Sequence, residues 1–184
     1  IMSNRKVYIS GEIVPEVDAK ISIFDSAVLL GDTVTESTRT FNYKPFKLAE
    51  HIDRLYKSFK LTRIDPQMST KEMMEVSLNL LETNKGEYGN NEDCWLVHNV
   101  SRGHSVTGGN PALQVTKPTV MIYTQPMNLI LWAPFYTKGC HAVIPSTRMI
   151  PSQSLDARIK NRSRLFYTLS EIDAKLVDPD AQSV

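Results

Sequence analysis

The sequence predicts an α/β fold of the α+β kind. A small N-terminal domain of antiparallel strands and helices should occupy about residues 1–125, followed by the opening portion of a second α/β domain. Three observations predict this. Short alternating runs at 6–14 and 33–41 are joined to their neighbours by tight-turn residues, as in antiparallel hairpins. Two successive stretches, 49–61 and 70–81, place apolar residues three and four apart, as helices do. From residue 139 the order becomes strand, long loop, helix, turn and strand, the rhythm of a different unit.

Taken in order, 6–14 reads as a hairpin turning at Ser10-Gly11, and 19–23 alternates as a further strand. A short apolar turn then ends at Gly31. Thr and Val at period two make 33–41 a strand, 42–45 a turn, and 46–48 the return of a second hairpin. In the first helix Ile52, Leu55, Tyr56 and Phe59 share a face. Ser69 and Glu72 form a capping box for the second, which should bury Met73, Val76, Leu80 and Leu81. Residues 94–100 and 119–123 are strands, and the loop of 101–118 between them is long enough to suggest a functional role. Residues 126–138 read as an interdomain segment carrying Trp132, Phe135 and Tyr136. A strand at 139–145, a helix at 161–175 and a strand at 181–184 make up the incomplete second domain, 139–184.

Composition narrows the classes of function. The chain has 184 residues and a formal net charge of +1, which gives no support for general nucleic-acid binding. No apolar run approaches the ~20 residues needed to cross a bilayer, and Arg5 and Lys6 are not followed by an apolar signal region, so a cytoplasmic protein is expected. The two cysteines, Cys94 and Cys140, allow one disulfide, although two buried free thiols in a reducing compartment fit this composition better. No Cys/His spacing resembles a zinc site, so no metal is expected.

The stretch from Arg148 to Arg164 concentrates the chemistry. Lys160 stands between a strand-like run and a helix-like run, where a side chain can reach the mouth of a sheet. Arg158, Arg162 and Arg164 crowd around it. Neighbouring positive charge disfavours an ammonium and favours the free amine that condenses with aldehydes and ketones. A solvated basic helix start is the competing reading of the same residues.

Four motifs in a fixed order resemble the class IV aminotransferases, the fold-type-IV enzymes that use pyridoxal 5′-phosphate (PLP) and include branched-chain and D-amino-acid aminotransferases. Gly31-Asp-Thr-Val-Thr-Glu-Ser-Thr-Arg39 is similar to the family's Glu-x-x-Arg strand. His51-Ile-Asp-Arg-Leu55 is similar to its His-x-x-Arg-Leu helix. Val100-Ser-Arg-Gly103 resembles the Val-Thr-Arg-Gly strand end of the D-amino-acid branch. Ile159-Lys160 sits where the Schiff-base lysine of the family sits. The resemblance implies a PLP-dependent transaminase moving an amino group from an amino acid or amine to a 2-oxo acid, active as a homodimer. A PLP lyase of the aminodeoxychorismate type and a non-catalytic binding module stay open beside it.

The same resemblance implies roles for single residues. Lys160 would be the catalytic lysine and Arg54 the ligand of the cofactor phosphate; alone, Arg54 reads as a surface arginine pairing with Glu50 or Asp53. Arg102 would bind a substrate carboxylate; alone, it reads as an exposed loop arginine. Thr35 stands where relatives carry an aromatic residue facing the substrate, and Leu30 where branched-chain enzymes carry tyrosine. Odd spacing puts Glu36 and Arg39 on opposite sheet faces, Glu36 partly structural and Arg39 towards the substrate pocket or the subunit interface. His51 reads as a packed histidine with a satisfied hydrogen bond. Trp132 and Tyr136 would cover the active site or simply pack between domains. By the same resemblance the second domain should be larger and continue past residue 184, carrying the carboxylate partner of the pyridine nitrogen. The chain is therefore expected to be part of a longer polypeptide and inactive by itself.

Overall fold

The computed structural model describes residues 4–89, 93–104, 117–127 and 129–183. Its elements in chain order are β1 (Lys6–Ile9), β2 (Glu12–Pro15), a 3-10 turn (Glu16–Asp18), α1 (Ser26–Leu30), β3 (Thr33–Phe41), β4 (Lys44–Pro45), α2 (Leu48–Thr62), α3 (Thr70–Thr83), β5 (Cys94–Ser101), β6 (Thr119–Pro126), α4 (Leu129–Trp132), α5 (Phe135–Lys138), β7 (His141–Ala142), α6 (Leu165–Val177) and β8 (Ala181–Ser183). Two compact units result, Ile1–Met127 with Arg158–Arg162, and Asn128–Ala157 with Ser163–Val184.

The first unit is a six-stranded sheet of order β2-β1-β6-β5-β3-β4, every pair antiparallel. Register puts Val34, Glu36, Thr38 and Thr40 on one face of β3, opposite Val100, His98, Leu96 and Cys94 of β5. That face shares the hydrophobic core with α2 and α3: Ile52, Leu55, Phe59, Met73, Leu80, Leu96, Val100 and Ile122 are all buried in it. Asn84, just past α3, pins β1 from inside. Its Oδ1 accepts from the Lys6 amide (2.7 Å), and its Nδ2 donates to the Lys6 carbonyl (2.9 Å) and to Thr124 Oγ1 (2.8 Å). The capping box at Ser69 is complete in both directions.

Several elements differ from the sequence reading. Residues 19–23 alternate but form no strand: most of their side chains are exposed, and among the described residues no neighbouring strand pairs with them. The apolar turn before Gly31 is a short helix, closed by the Asp25 side chain at its start and a left-handed Gly31 (φ 67°) at its end. The second hairpin turns earlier than expected: Asn42 and Tyr43 both take positive φ (49° and 62°), so the return strand is Lys44–Pro45 and not 46–48. On α3, Ser77 is fully buried where Val76 is only half-buried.

In the second unit β7 is shorter than the strand expected over 139–145, and it pairs in parallel with β8. Its helix begins at Leu165 and not at 161, because Asn161 and Arg162 are held against β3. Both cysteines are free, Cys94 buried as expected but Cys140 exposed. Among the described residues no helix is long and apolar enough to cross a membrane. The larger part of the 101–118 loop lies outside the described residues.

Candidate active site

β3, α2 and the segment 158–162 build the site inside the first unit. The two-residue β4 covers only the far end of β3, at Thr40 and Phe41. The near end stays available, and the Lys160 segment takes it. The Thr35 amide donates to the Lys160 carbonyl (2.8 Å), and the Arg162 amide donates to the Thr33 carbonyl (2.8 Å). An antiparallel bridge joins Val34 and Asn161 between them. From α2 the fully buried Ser58 hydroxyl accepts the Lys160 amide at 3.3 Å. Three hydrogen bonds to backbone groups of residues 160 and 162 therefore fix where the half-buried Lys160 stands.

Arg54 lies one helical turn before Ser58, on the same side of α2. Its partner is neither Glu50 nor Asp53; Asp53 pairs with Lys57 instead (2.6 Å). Arg54 Nε donates to Glu36 Oε2 and Nη2 donates to Glu36 Oε1, both at 2.6 Å. Glu36 is fully buried, and its Oε1 also accepts the Ser37 amide at 2.8 Å and lies 3.1 Å from His51 Nδ1. Because a carboxylate only accepts, the His51 proton belongs on Nδ1. Burial alone would raise the Glu36 carboxyl. The donors from Arg54, Ser37 and His51 more than offset it and hold the group below the ordinary carboxylate range. Arg54 keeps 53% of its side chain exposed, and Nη1 has no partner among the described residues.

His98 stands directly across from Glu36 on β5 and is completely buried. Its Nε2 lies 2.7 Å from Ser77 Oγ, whose proton goes to the Met73 carbonyl (2.7 Å). Nε2 therefore carries the imidazole proton. Burial pushes this imidazole down to about 4, against the opposing pull of Glu36, so it is neutral in the fold.

The remaining expected site residues sit elsewhere. Thr35 is buried, and its hydroxyl donates to the His98 carbonyl (3.0 Å), so its tie to Lys160 runs through its backbone. Arg39 stacks on Phe41 (3.8 Å), and its Nη2 lies 4.0 Å from Asp93. It is four residues along β3 from Thr35, about 13 Å at strand spacing. Arg102 is not an exposed loop arginine. Its Nε donates to Asp32 (2.8 Å), Nη1 to the Arg63 carbonyl (2.9 Å) and Nη2 to the Thr62 carbonyl (3.0 Å). That places its head at the C-terminal end of α2, about 12 Å along the helix axis from the Arg54 position. Arg54 and the head of Arg102 thus flank Ser58, where Lys160 is anchored, one helical turn to either side, while Arg39 lies further along β3.

The family model for amino-transferase class IV matches residues 33–181, a span that includes β3, α2 and the Lys160 segment. The chain belongs to the class IV aminotransferases. A putative branched-chain-amino-acid aminotransferase of Methanocaldococcus jannaschii is 35% identical over 175 residues, covering 95% of this chain and 57% of the relative. A D-alanine aminotransferase of Staphylococcus aureus is 28% identical over 121 residues, 66% of this chain and 41% of that protein. The fold matches the T.th. branched-chain amino acid aminotransferase complexed with N-(5'-phosphopyridoxyl)-L-glutamate, with a TM-score of 0.81 at 21% identity. That match covers 100% of this chain and 59% of the other. The chain thus spans 57% of the length of its Methanocaldococcus class IV relative. One site residue of this class IV chain, Ser58, and the pairing of Glu36 with Arg54 escaped the sequence reading. Ser58 could have been found as the residue one turn beyond Arg54 on the same helix face, whereas the union of Glu36 with Arg54 spans 18 residues and leaves no local signal.

Proposed function

We propose that this chain carries the lysine and the phosphate-binding arginine of a PLP-dependent aminotransferase that moves an amino group from an amino acid or amine to a 2-oxo acid. The observation that carries the reading is the anchoring of the Lys160 backbone on β3 and α2, one helical turn from Arg54. The donor set fits the cofactor: a lysine amine suits its aldehyde, and a half-exposed guanidinium with an unused edge suits its phosphate. Bound PLP would supply an electron sink for charge developing at the substrate α-carbon. Lys160 would take the proton from that carbon as base and give it up as acid at the cofactor carbon C4′, which is what moves the amino group to the cofactor. Arg54 would bind the phosphate. The hydrogen bonds of the Lys160 backbone, from the Thr35 amide and to the Ser58 hydroxyl, would limit where the amine can reach.

The matching relatives are named aminotransferases, which favours transfer to an acceptor over release of pyruvate by a lyase. The full-length protein would work as a homodimer, and native mass measurement tests that. A cytoplasmic setting is supported by the two free thiols. The test of the reading is borohydride reduction of the full-length protein with PLP, followed by peptide mapping. Cofactor mass on the Lys160 peptide is expected, and it should vanish in Lys160→Ala. Label on another lysine, or on none, overturns the assignment.

A further inference from the structure

We infer that Glu36 is a positioning residue for the cofactor phosphate, holding Arg54 by one edge of its guanidinium and leaving the other edge for the anion. The inference rests on the reading of Arg54 as the phosphate ligand.

A carboxylate in the middle of a sheet is costly to bury unless every lone pair is engaged. Glu36 is fully buried and is surrounded by the two Arg54 donors, the Ser37 amide and His51 Nδ1. The Coulomb attraction within such a pair is greatest where both partners are withdrawn from water. The partner is instead 53% exposed. The pair is dry on the carboxylate side and wet on the arginine side.

The guanidinium is a planar fork of five N–H donors. Nε and one Nη2 proton are spent on Glu36. The second Nη2 proton and one Nη1 proton form the other edge of the fork, in the geometry that receives two oxygens of a tetrahedral anion, with His51 Nδ1 3.4 Å from Nη2. An arginine on a helix surface otherwise samples many rotamers and must lose them on binding. Here the loss has already occurred on folding. The Ser37 amide and His51 stop the carboxylate from turning with its partner. Thr35, the residue before Glu36, holds the Lys160 carbonyl, so one strand sets the amine and the phosphate ligand at a fixed separation.

The test uses the full-length protein and its Glu36→Gln, Arg54→Ala and double variants. Dissociation constants are measured for PLP and for pyridoxal, which lacks the phosphate, by absorbance titration beside a denaturation curve. Glu36→Gln should weaken PLP about tenfold, the scale of one charge-assisted hydrogen bond, and leave pyridoxal unchanged. The double variant should bind PLP no more weakly than Arg54→Ala, because Glu36 acts through that arginine. Wild-type PLP affinity in Glu36→Gln, beside a clear loss in Arg54→Ala, overturns the inference and leaves the phosphate ligand standing. So does an equal loss for PLP and pyridoxal, or additive losses in the double variant. Unchanged affinity in Arg54→Ala removes the underlying reading and the inference together. If Glu36→Gln does not fold, Glu36→Asp keeps the charge and withdraws it by one methylene. A loss confined to PLP supports the inference there, and wild-type affinity overturns it.

Discussion

Arg54 and Arg102 were both expected to bind anions, and both meet a carboxylate of their own chain; what separates them is how many donors the chain consumes. Arg54 gives one edge to Glu36 and keeps Nη1 without a partner among the described residues. Arg102 gives Nε to Asp32 and both Nη groups to carbonyls at the end of α2. Its charge sits where a helix C-terminus favours a cation, so it closes the helix. The comparison teaches that an arginine in a motif is a binding group only to the extent that its fork is left open.

Four experiments would break or sharpen this contrast. The largest effect is expected in acid, at the Arg54 corner. His98 is held neutral down to about pH 4, whereas in the unfolded chain it takes a proton near 6.5. A depressed histidine stabilises the unfolded state as pH falls from 6.5 towards 4, by about 3 kcal/mol in all for a buried group. Glu36 adds to this at lower pH: its folded value is depressed, so its contribution is present above the unfolded carboxylate range and is lost as pH falls through the folded value. Urea denaturation at stepped pH should show the slope, and His98→Gln should flatten it between 6.5 and 4. Arg102→Ala should lower stability at every pH and leave the slope unchanged.

Next in size, Arg54→Ala should weaken PLP binding by about 2 kcal/mol, the value of a charge-assisted pair, with pyridoxal unaffected. Arg102→Ala should leave that discrimination intact; loss of phosphate selectivity there would end the contrast. Third, Arg102→Ala should cost roughly 1–2 kcal/mol of stability, since it strands Asp32 and two helix carbonyls; the denaturation midpoint at constant slope reads it. Arg102→Lys should recover only part, because an ammonium cannot span both partners. Smallest, Arg39→Ala should change stability by less than about 0.5 kcal/mol, since its 4.0 Å contact with Asp93 is long and partly wet.

The sheet strands and the two long helices were legible because burial is periodic: one face of β3 carries Val34, Glu36, Thr38 and Thr40, and α2 buries Ile52, Leu55 and Phe59. Motif order singled out Lys160 and Arg54, and the fold sets the Lys160 backbone one helical turn from Arg54. Alternation misled at 19–23, where no strand among the described residues pairs to reward it. Turn chemistry misled at Asn42-Tyr43, since two successive left-handed residues at Asn-Tyr are uncommon and move the hairpin's return by two positions. Arg102 could not be judged from sequence, because its partners lie 39, 40 and 70 residues away and are assembled only by folding. Ser58 and the pairing of Glu36 with Arg54 became readable only once a helix and a strand were laid side by side.

The brevity of β4 has a consequence for how this protein tolerates change. Because the return strand is two residues long, the 158–162 segment occupies the vacant margin of β3 and is indexed to it residue by residue. A slip of one position would therefore bring Ile159 or Asn161 to the place of Lys160, and neither has an amine. Deleting one residue between Arg158 and Arg162 should abolish chemistry without unfolding the sheet, whereas one added residue in the irregular stretch 145–157 can be taken up as slack. The position of Lys160 is set by counting from Thr33, and lengthening β4 would erase the scale on which the count is made.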